Sequence, residues 1–384
     1  MNKRVLIIAN TASMIKLFNM HNIHILKKLG YEVVVAANFS NPGTISEQVN
    51  EELKLELKRM HIPFENVKFP RGIGSLQKNY RIYRQLVSIV EKYSINTIHT
   101  HAPLSSVISR LVARKKKIDC IYTSHGFQFF PGGPIKNWLI YYPIEYWLSR
   151  YTKALITINS DDYQEAKRFP VKDVYYIPGV GSNTKHSLDI KEARKQEVRD
   201  KKRNELGISK NEFLILSVGE LSRRKNHITI IRALGKLNDP TIKYVIAGIG
   251  PEKEHLKMEA RKLGVSNQVK FLGFQTDTEK LYLAADLNAF ISLREGLGMG
   301  GLEGCALGLY IIASHNTGVK DYVINNRMGI LINNPLDVNE VANVISRVKN
   351  KHIVAEPDRE CLLKFDQSNV DLLMKKIYQK ELES

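Results

Sequence analysis

The chain has 384 residues, a length that suggests two domains of ordinary size, each able to bury its own core. It is 43% hydrophobic and 25% charged, with no low-complexity tract or internal repeat, which excludes a disordered or fibrous protein. The formal net charge of +18, most of it arising in residues 1–180, favours anionic partners such as nucleic acid, anionic lipid or a diphosphate-bearing substrate. The three cysteines, Cys120, Cys305 and Cys361, lie far apart without CxxC spacing, so neither a disulfide framework nor a zinc site is indicated and a reducing cytoplasm fits best.

The first apolar run, Val5 to Ala9, is too short for a secretory leader and reads as a buried strand. A series of strand and helix patterns follows. Strands are predicted at Arg4 to Asn10, Glu32 to Ala37, Thr97 to His101, Cys120 to Ser124, Ala154 to Asn159 and Val174 to Pro178, with helices near His21 to Leu29, Ser46 to Met60 and Leu76 to Tyr93. Continuous apolar strands between amphipathic helices indicate a parallel sheet covered on both faces. The stretch Trp138 to Ile158 is the nearest thing to a spanning helix. Its Glu145, Arg150 and Lys153 and its many aromatic residues suit a membrane interface better.

Pro178-Gly179-Val180-Gly181 breaks the pattern, and the charged stretch after it reads as a linker. A second series runs through Phe213 to Gly219, Tyr244 to Gly248, Val269 to Phe274, Leu287 to Leu293, Tyr310 to Ser314 and Gly329 to Ile332. The expected organisation is a first Rossmann-like domain over 1–178, a linker over 179–205, a second Rossmann-like domain over 206–365 and a terminal segment over 366–384. The helix in that last segment either closes the second domain or crosses back onto the first. Two doubly wound α/β domains facing each other leave a cleft at the carboxyl ends of their strands, where open α/β sheets bind ligands.

The richest stretch is Glu295-Gly296-Leu297-Gly298-Met299-Gly300-Gly301-Leu302-Glu303. It follows a strand and reads as a tight loop entering a helix. Glycine lets backbone approach a ligand, and the free N–H groups of a helix N-terminus attract anions such as diphosphate. Two acceptor-only carboxylates beside that site suit the hydroxyls of a sugar or ribose. Upstream, Val218-Gly219-Glu220-Leu221-Ser222-Arg223-Arg224-Lys225-Asn226-His227 leaves a strand with three cations at a helix start, an arrangement that an anion would relieve. Ala247-Gly248-Ile249-Gly250-Pro251 is a further glycine turn after a strand.

Taken in order, these segments resemble the C-terminal domain of the family 4 glycosyltransferases, which have the GT-B architecture. The glutamate pair with seven residues between, the Leu-Glu-Gly-Cys-Ala-Leu-Gly helix and Ile311-Ile312-Ala313-Ser314 are its most specific part. In the first domain, Thr100-His101-Ala102-Pro103, Tyr122-Thr123-Ser124-His125-Gly126-Phe127, Lys136-Asn137-Trp138 to Ser149-Arg150-Tyr151 and Tyr176-Ile177-Pro178-Gly179 resemble bacterial enzymes of exopolysaccharide and capsule assembly. The resemblance implies a retaining transferase that needs no metal or other cofactor. It would move an N-acetylhexosamine or hexose from a UDP-sugar to a polyprenyl-diphosphate-linked saccharide, as a cytoplasmic protein peripheral at the anionic inner face of the membrane. The absence of any Asp-x-Asp near a strand end agrees with metal independence.

By the resemblance, Glu303 holds the ribose, Glu295 the donor sugar, and Lys225 with Arg224 or Arg223 the diphosphate, while His125 lies close to the transferred sugar. Gly296, Leu297, Gly298, Gly248, Gly250 and Leu272 are the further donor contacts it implies. Glu220 stands where the family carries an arginine, shifting weight to Arg223, Arg224 and Lys225. Asn10-Thr11-Ala12-Ser13-Met14 lacks the usual glycine-rich loop. The alternatives are an epimerase or hydrolase of nucleotide sugars with the same architecture, or a basic nucleic-acid binder. No recognised nucleic-acid motif or interleaved aromatic platform accompanies the charge, so no nucleic-acid partner is expected.

Overall fold

The computed structural model describes residues 3–70, 72–315 and 317–383. The chain forms two compact units. The first runs to Val180 and takes in the chain from Ser368 onward, and the second spans Gly181–Gln367.

The first unit is built on β1 (Arg4–Ala9), β2 (Glu32–Ala37), β3 (Phe64–Asn66), β4 (Thr97–His101), β5 (Asp119–Ser124), β6 (Ala154–Thr157) and β7 (Asp173–Tyr176). All neighbours pair in parallel, in the order β3-β2-β1-β4-β5-β6-β7. Leu6, Ile7 and Ile8 are wholly buried, as central strands covered on both faces require. The order reverses between β1 and β4, and the carboxyl ends of those strands, with β5 beside them, are where such a sheet holds its ligands. The edge strand β3 was not anticipated, because three residues are too few for a period to register. Arg114, Lys115 and Lys116 form the last turn of the helix Pro103–Lys116, where cations face the negative end of the helix dipole.

Between β5 and β6 lies the helix Ile135–Ser149, rich in aromatic and aliphatic residues. Its inner side is pinned by a buried ion pair, Glu145 Oε2 to Arg110 Nη2 at 2.8 Å, and by Trp138 and Tyr142 against Phe129. Its outer side is bare: Ile135, Leu139 (72% exposed), Ile140, Ile144 and Trp147 face outward. The Trp138 to Ile158 stretch thus holds the greater part of this fifteen-residue helix followed by β6, and no helix among the described residues is long and apolar enough to cross a membrane.

The second unit carries β8 (Phe213–Val218), β9 (Ile242–Ala247), β10 (Val269–Gly273), β11 (Leu287–Phe290), β12 (Ile311–Ser314) and β13 (Gly329–Ile332), again all parallel, in the order β10-β9-β8-β11-β12-β13. Here the order reverses between β8 and β11.

The expected linker over 179–205 needs correction. From Gly181 onward it belongs to the second unit, and most of it is folded into the helices Thr184–Asp189 and Glu192–Leu206. The second of these is anchored by cations. Arg199 donates to the carbonyls of Leu283, Ala284 and Ala285 and pairs with Asp286, while Arg203, buried, donates to Asp286 Oδ2 at 3.0 Å and to the Ala284 carbonyl. At the other end of the chain, the helix Gln367–Glu383 packs on the first unit. Tyr378 meets His99, Tyr175 donates to Glu381, Lys380 pairs with Asp173 at 2.7 Å, and Lys3 donates to the Leu382 carbonyl.

Candidate functional site

In the second unit, the loops leaving β8 and β11 meet. After β8 the chain makes a short 3-10 turn, Arg223–Lys225, and enters the helix His227–Leu237 through Asn226, which is held at φ 56°. The buried Asn226 amide fixes this conformation by donating to the carbonyls of Ile291 (3.2 Å) and Pro335 (2.7 Å), and its Oδ1 accepts from Thr229. His227 adds a second clamp, its ring nitrogens 3.1 Å from the Tyr244 hydroxyl and from the Glu220 carbonyl oxygen. Asn226 and His227 position the cationic turn, yet the sequence marks them only as part of a charged run.

The result brings Glu295 against two of the three predicted cations. Its Oε1 lies 2.6 Å from Arg224 Nη1 and 2.7 Å from Lys225 Nζ, and Lys225 also sits over the Phe290 ring at 4.6 Å. Burial pushes the Glu295 carboxyl up, but Lys225 and then Arg224 more than offset this and hold it below the ordinary carboxylate range. Arg223 is not brought in. It is 89% exposed, and its Nε points to Glu252 at 3.4 Å.

Glu303 lies on the helix Met299–Ala306. Gly298, at φ 88°, starts that helix with no room for a side chain, since a Cβ there would stand 2.7 Å from Phe290. Gly301 is packed against Tyr322, whose hydroxyl donates to the Gly298 carbonyl at 2.8 Å. Glycine is thus required at these positions for close packing of helix on sheet. Glu303 itself has no ion-pair partner among the described residues, and burial raises its carboxyl to about 7, with the Tyr282 hydroxyl nearby only partly offsetting the shift. The two glutamates therefore differ in kind: one is a fixed anion between cations, the other a carboxyl that titrates near neutrality.

Gly248 and Gly250 have a packing explanation of their own. A Cβ on Gly248 would stand 1.8 Å from the Gly219 carbonyl oxygen, and one on Gly250 would stand 2.4 Å from that of Leu221, so both allow the two loops to touch. Leu272, on β10, packs with the apolar cluster that includes Leu216 and Val245. Leu297 is buried, and the backbone of Gly296 is overlaid by Gly318.

The first unit holds a different group. His99 and His101 lie on β4, and His125 follows β5. His101 Nδ1 is 3.2 Å from His125 Nε2, and the His99 and His101 rings are 4.2 Å apart. Burial pushes His99 down to about 3 and His125 to about 4, and lowers His101 as well. The loop carrying His125 is anchored just beyond it by Phe127, whose N–H donates to Asp162 and whose ring stacks on Phe129 at 5.0 Å. The sequence singled out His125 and quoted His101. The participation of His99 and Tyr378 depends on contacts across 279 positions, which no local pattern carries.

Two all-parallel doubly wound units, the second with a glycine-started helix and a cation-held carboxylate at its strand ends, define the GT-B class. Solved structures agree across the whole length. Anabaena HepE in complex with UDP-glucose superposes with a TM-score of 0.74, at 18% identity over 98% of this chain and 99% of that one. Sucrose-phosphate synthase from Thermosynechococcus elongatus gives 0.75, at 18% identity over 99% of each. The model of Glycosyltransferase Family 4 matches residues 23–179, and that of Glycosyl transferases group 1 matches residues 198–360. EpsD of Bacillus subtilis (strain 168), a protein assigned as a glycosyltransferase, is 35% identical over 86% of this chain and 84% of its own. The Escherichia coli UDP-Gal:alpha-D-GlcNAc-diphosphoundecaprenol alpha-1,3-galactosyltransferase is 26% identical over 77% of this chain and 75% of its own. The chain belongs to this glycosyltransferase family.

Proposed function

We propose that this glycosyltransferase moves an N-acetylhexosamine or hexose from a UDP-sugar to a polyprenyl-diphosphate-linked saccharide, with retention and without a metal ion, in exopolysaccharide or capsule assembly. The observation that carries the reading is the cluster of Glu295, Lys225 and Arg224 beside the Met299–Ala306 helix start. The E. coli relative, which by name takes UDP-galactose to a diphosphoundecaprenol acceptor, supports the choice of donor and acceptor class.

In this reading Lys225 and Arg224 meet the diphosphate, whose negative charge grows as it leaves the anomeric carbon, and aimed cations lower that barrier. Glu295 holds both cations in place in the resting site and accepts hydrogen bonds from the donor sugar. Glu303 accepts from the ribose hydroxyls, a task that favours its ionised form. Gly296, Leu297 and Gly298 shape the floor. The leaving phosphate helps to deprotonate the acceptor hydroxyl on the same face, so no side chain is an obligatory covalent nucleophile; a glycosyl adduct on Glu295 trapped by mass spectrometry would overturn this step.

The test of donor class is the thermal shift of the purified protein with UDP, GDP and ADP, since a ligand that binds only the native state raises the melting temperature. Selective stabilisation by UDP that disappears in Glu303→Ala is expected. Product analysis with and without a lipid-linked acceptor then separates transfer from hydrolysis or epimerisation.

Peripheral attachment at the inner membrane face is part of the same proposal. The bare side of the Ile135–Ser149 helix supports it, as does Arg114, which lies over Trp147 and Tyr151 at 5.9 and 4.6 Å and adds charge beside the apolar face. Vesicles containing anionic lipid should sediment the wild-type protein and leave Ile140→Glu/Ile144→Glu in solution. Equal binding by both would remove this face from the proposal.

A further inference from the structure

The histidine row of the first unit contains a polar atom that nothing satisfies. His101 is 1% exposed, and its Nε2 is buried without a hydrogen-bond partner. Its neighbour His99 cannot supply one, because both of that ring's nitrogens are engaged, Nδ1 with the Tyr378 hydroxyl at 2.7 Å and Nε2 with Thr123 Oγ1 at 2.8 Å. The other nitrogen of His101, Nδ1, faces His125 Nε2 at 3.2 Å.

A neutral imidazole has one N–H and one bare nitrogen, so the His101–His125 contact holds one proton shared between two acceptor atoms. There are two ways to place it. If His125 donates from Nε2, then His101 must carry its own proton on Nε2, where it becomes an orphaned N–H inside the core. If His101 donates from Nδ1, the orphan is only a lone pair. Orphaned buried N–H groups are the rarer and costlier outcome. The second arrangement leaves His125 with its proton on Nδ1, an edge with no partner among the described residues of the first unit, on a half-buried ring.

The backbone around His101 is unusual in a way that fits a fixed orientation. The next residue, Ala102, has φ 79° and ψ 150°, a region almost reserved for glycine. Ser105 Oγ donates to the His101 carbonyl, and Ser105 N–H donates to Asn10 Oδ1 at 3.0 Å. These hydrogen bonds hold the His101 carbonyl and the first turn of the following helix in place around the strained residue.

We infer that His101 is a positioning residue that fixes the tautomer of His125, so that His125 presents a neutral Nδ1–H donor to the ligand rather than a basic nitrogen. Its importance for turnover rests on the reading above, in which His125 lies against the transferred sugar. A donor at that position can hydrogen-bond a sugar hydroxyl oxygen and cannot take a proton from the acceptor, in keeping with deprotonation by the leaving phosphate.

The test reads the tautomer directly and needs no activity. Two-bond 15N–1H correlation spectra of the full chain labelled in its histidines distinguish Nδ1–H from Nε2–H for each ring, with His125→Gln used to assign the His125 signals. His125 is expected in the Nδ1–H form, and finding it in the Nε2–H form overturns the inference, whatever the enzyme transfers. Substitution sharpens the result. His101→Asn keeps an N–H donor close to the place of Nδ1 and should preserve both the tautomer and kcat within roughly threefold. His101→Asp places an acceptor where the donor stood, should shift His125 toward Nε2–H, and should lower kcat roughly 10- to 100-fold with KM for the nucleotide sugar little changed. An aspartate variant with unaltered tautomer and kcat would also overturn the inference, and if that variant fails to fold, the wild-type spectrum decides alone. A wild-type chain with the expected tautomer but no transferase activity would leave the tautomer standing and sink the functional reading.

Discussion

The histidine row of the first unit and the cationic turn of the second solve the same problem in opposite ways. Both bury titratable side chains near the carboxyl ends of parallel strands. In the first unit His99, His101 and His125 face no counter-charge among the described residues, so burial leaves them neutral. In the second, Glu295 is comparably enclosed and stays ionised because Lys225 and Arg224 face it. Glu303 shows what happens in the second unit when the counter-charge is missing: its carboxyl rises to about 7. Burial alone discharges a group, and burial with a partner keeps it charged and aimed.

Acid should separate the two regions most strongly. The folded histidines ionise well below the ordinary value of 6.5, so the unfolded chain binds more protons as pH falls from about 6.5 towards 4. Stability is therefore present above that window and lost within it, by about 1.4 kcal/mol per pH unit for each histidine kept neutral. Three such histidines stand in the first unit against His227, lowered to about 4, in the second, so hydrogen exchange at pH 5 should show β4 and β5 losing protection before β8 and β11. Equal loss in both units would break the contrast.

Next in size is the cationic turn. Lys225→Ala should cost roughly 2 to 4 kcal/mol of transition-state stabilisation, read from kcat/KM, if it carries the developing phosphate charge. An effect confined to the melting temperature would make Lys225 a purely structural partner of Glu295.

Glu303→Gln tests the unpartnered carboxyl. Because the folded value is raised from 4.5 to about 7, the wild type loses stability as pH rises through that interval, and the amide removes the loss. Urea titration should find the variant more stable by up to about 3 kcal/mol at pH 8 and nearly equal at pH 4.5. UDP affinity should move the other way, falling in the variant.

The smallest effect is expected at Arg223. Its exposed contact with Glu252 is of the kind that contributes little. Arg223→Ala should leave melting temperature and donor KM unchanged, whereas Arg224→Ala should raise that KM. A matching rise in both would return Arg223 to the site.

How much of this was legible in the sequence depended on whether the cause was local. Strands such as Glu32–Ala37 and Gly329–Ile332 announce themselves as apolar runs, and the Glu295 to Glu303 loop announces itself by its glycines. The helix Glu192–Leu206 read as a linker because it is held by Arg199 and Arg203 gripping carbonyls and Asp286, some 80 positions away, and presents hardly any apolar stripe. Arg223, Arg224 and Lys225 look alike as a run of cations. Only the fold, through Asn226 and the return of the β11 loop, turns two toward Glu295 and one toward Glu252. His101 was visible as part of a motif, but its buried, unpartnered nitrogen was not.

The helix Gln367–Glu383 gives the first unit a discontinuous sequence. On the ribosome, β1 to β7 emerge before any of the second unit, yet the tyrosine that meets His99 is made after all of it. The contact between Tyr378 and His99 therefore cannot form until the sequence of the second unit has been made.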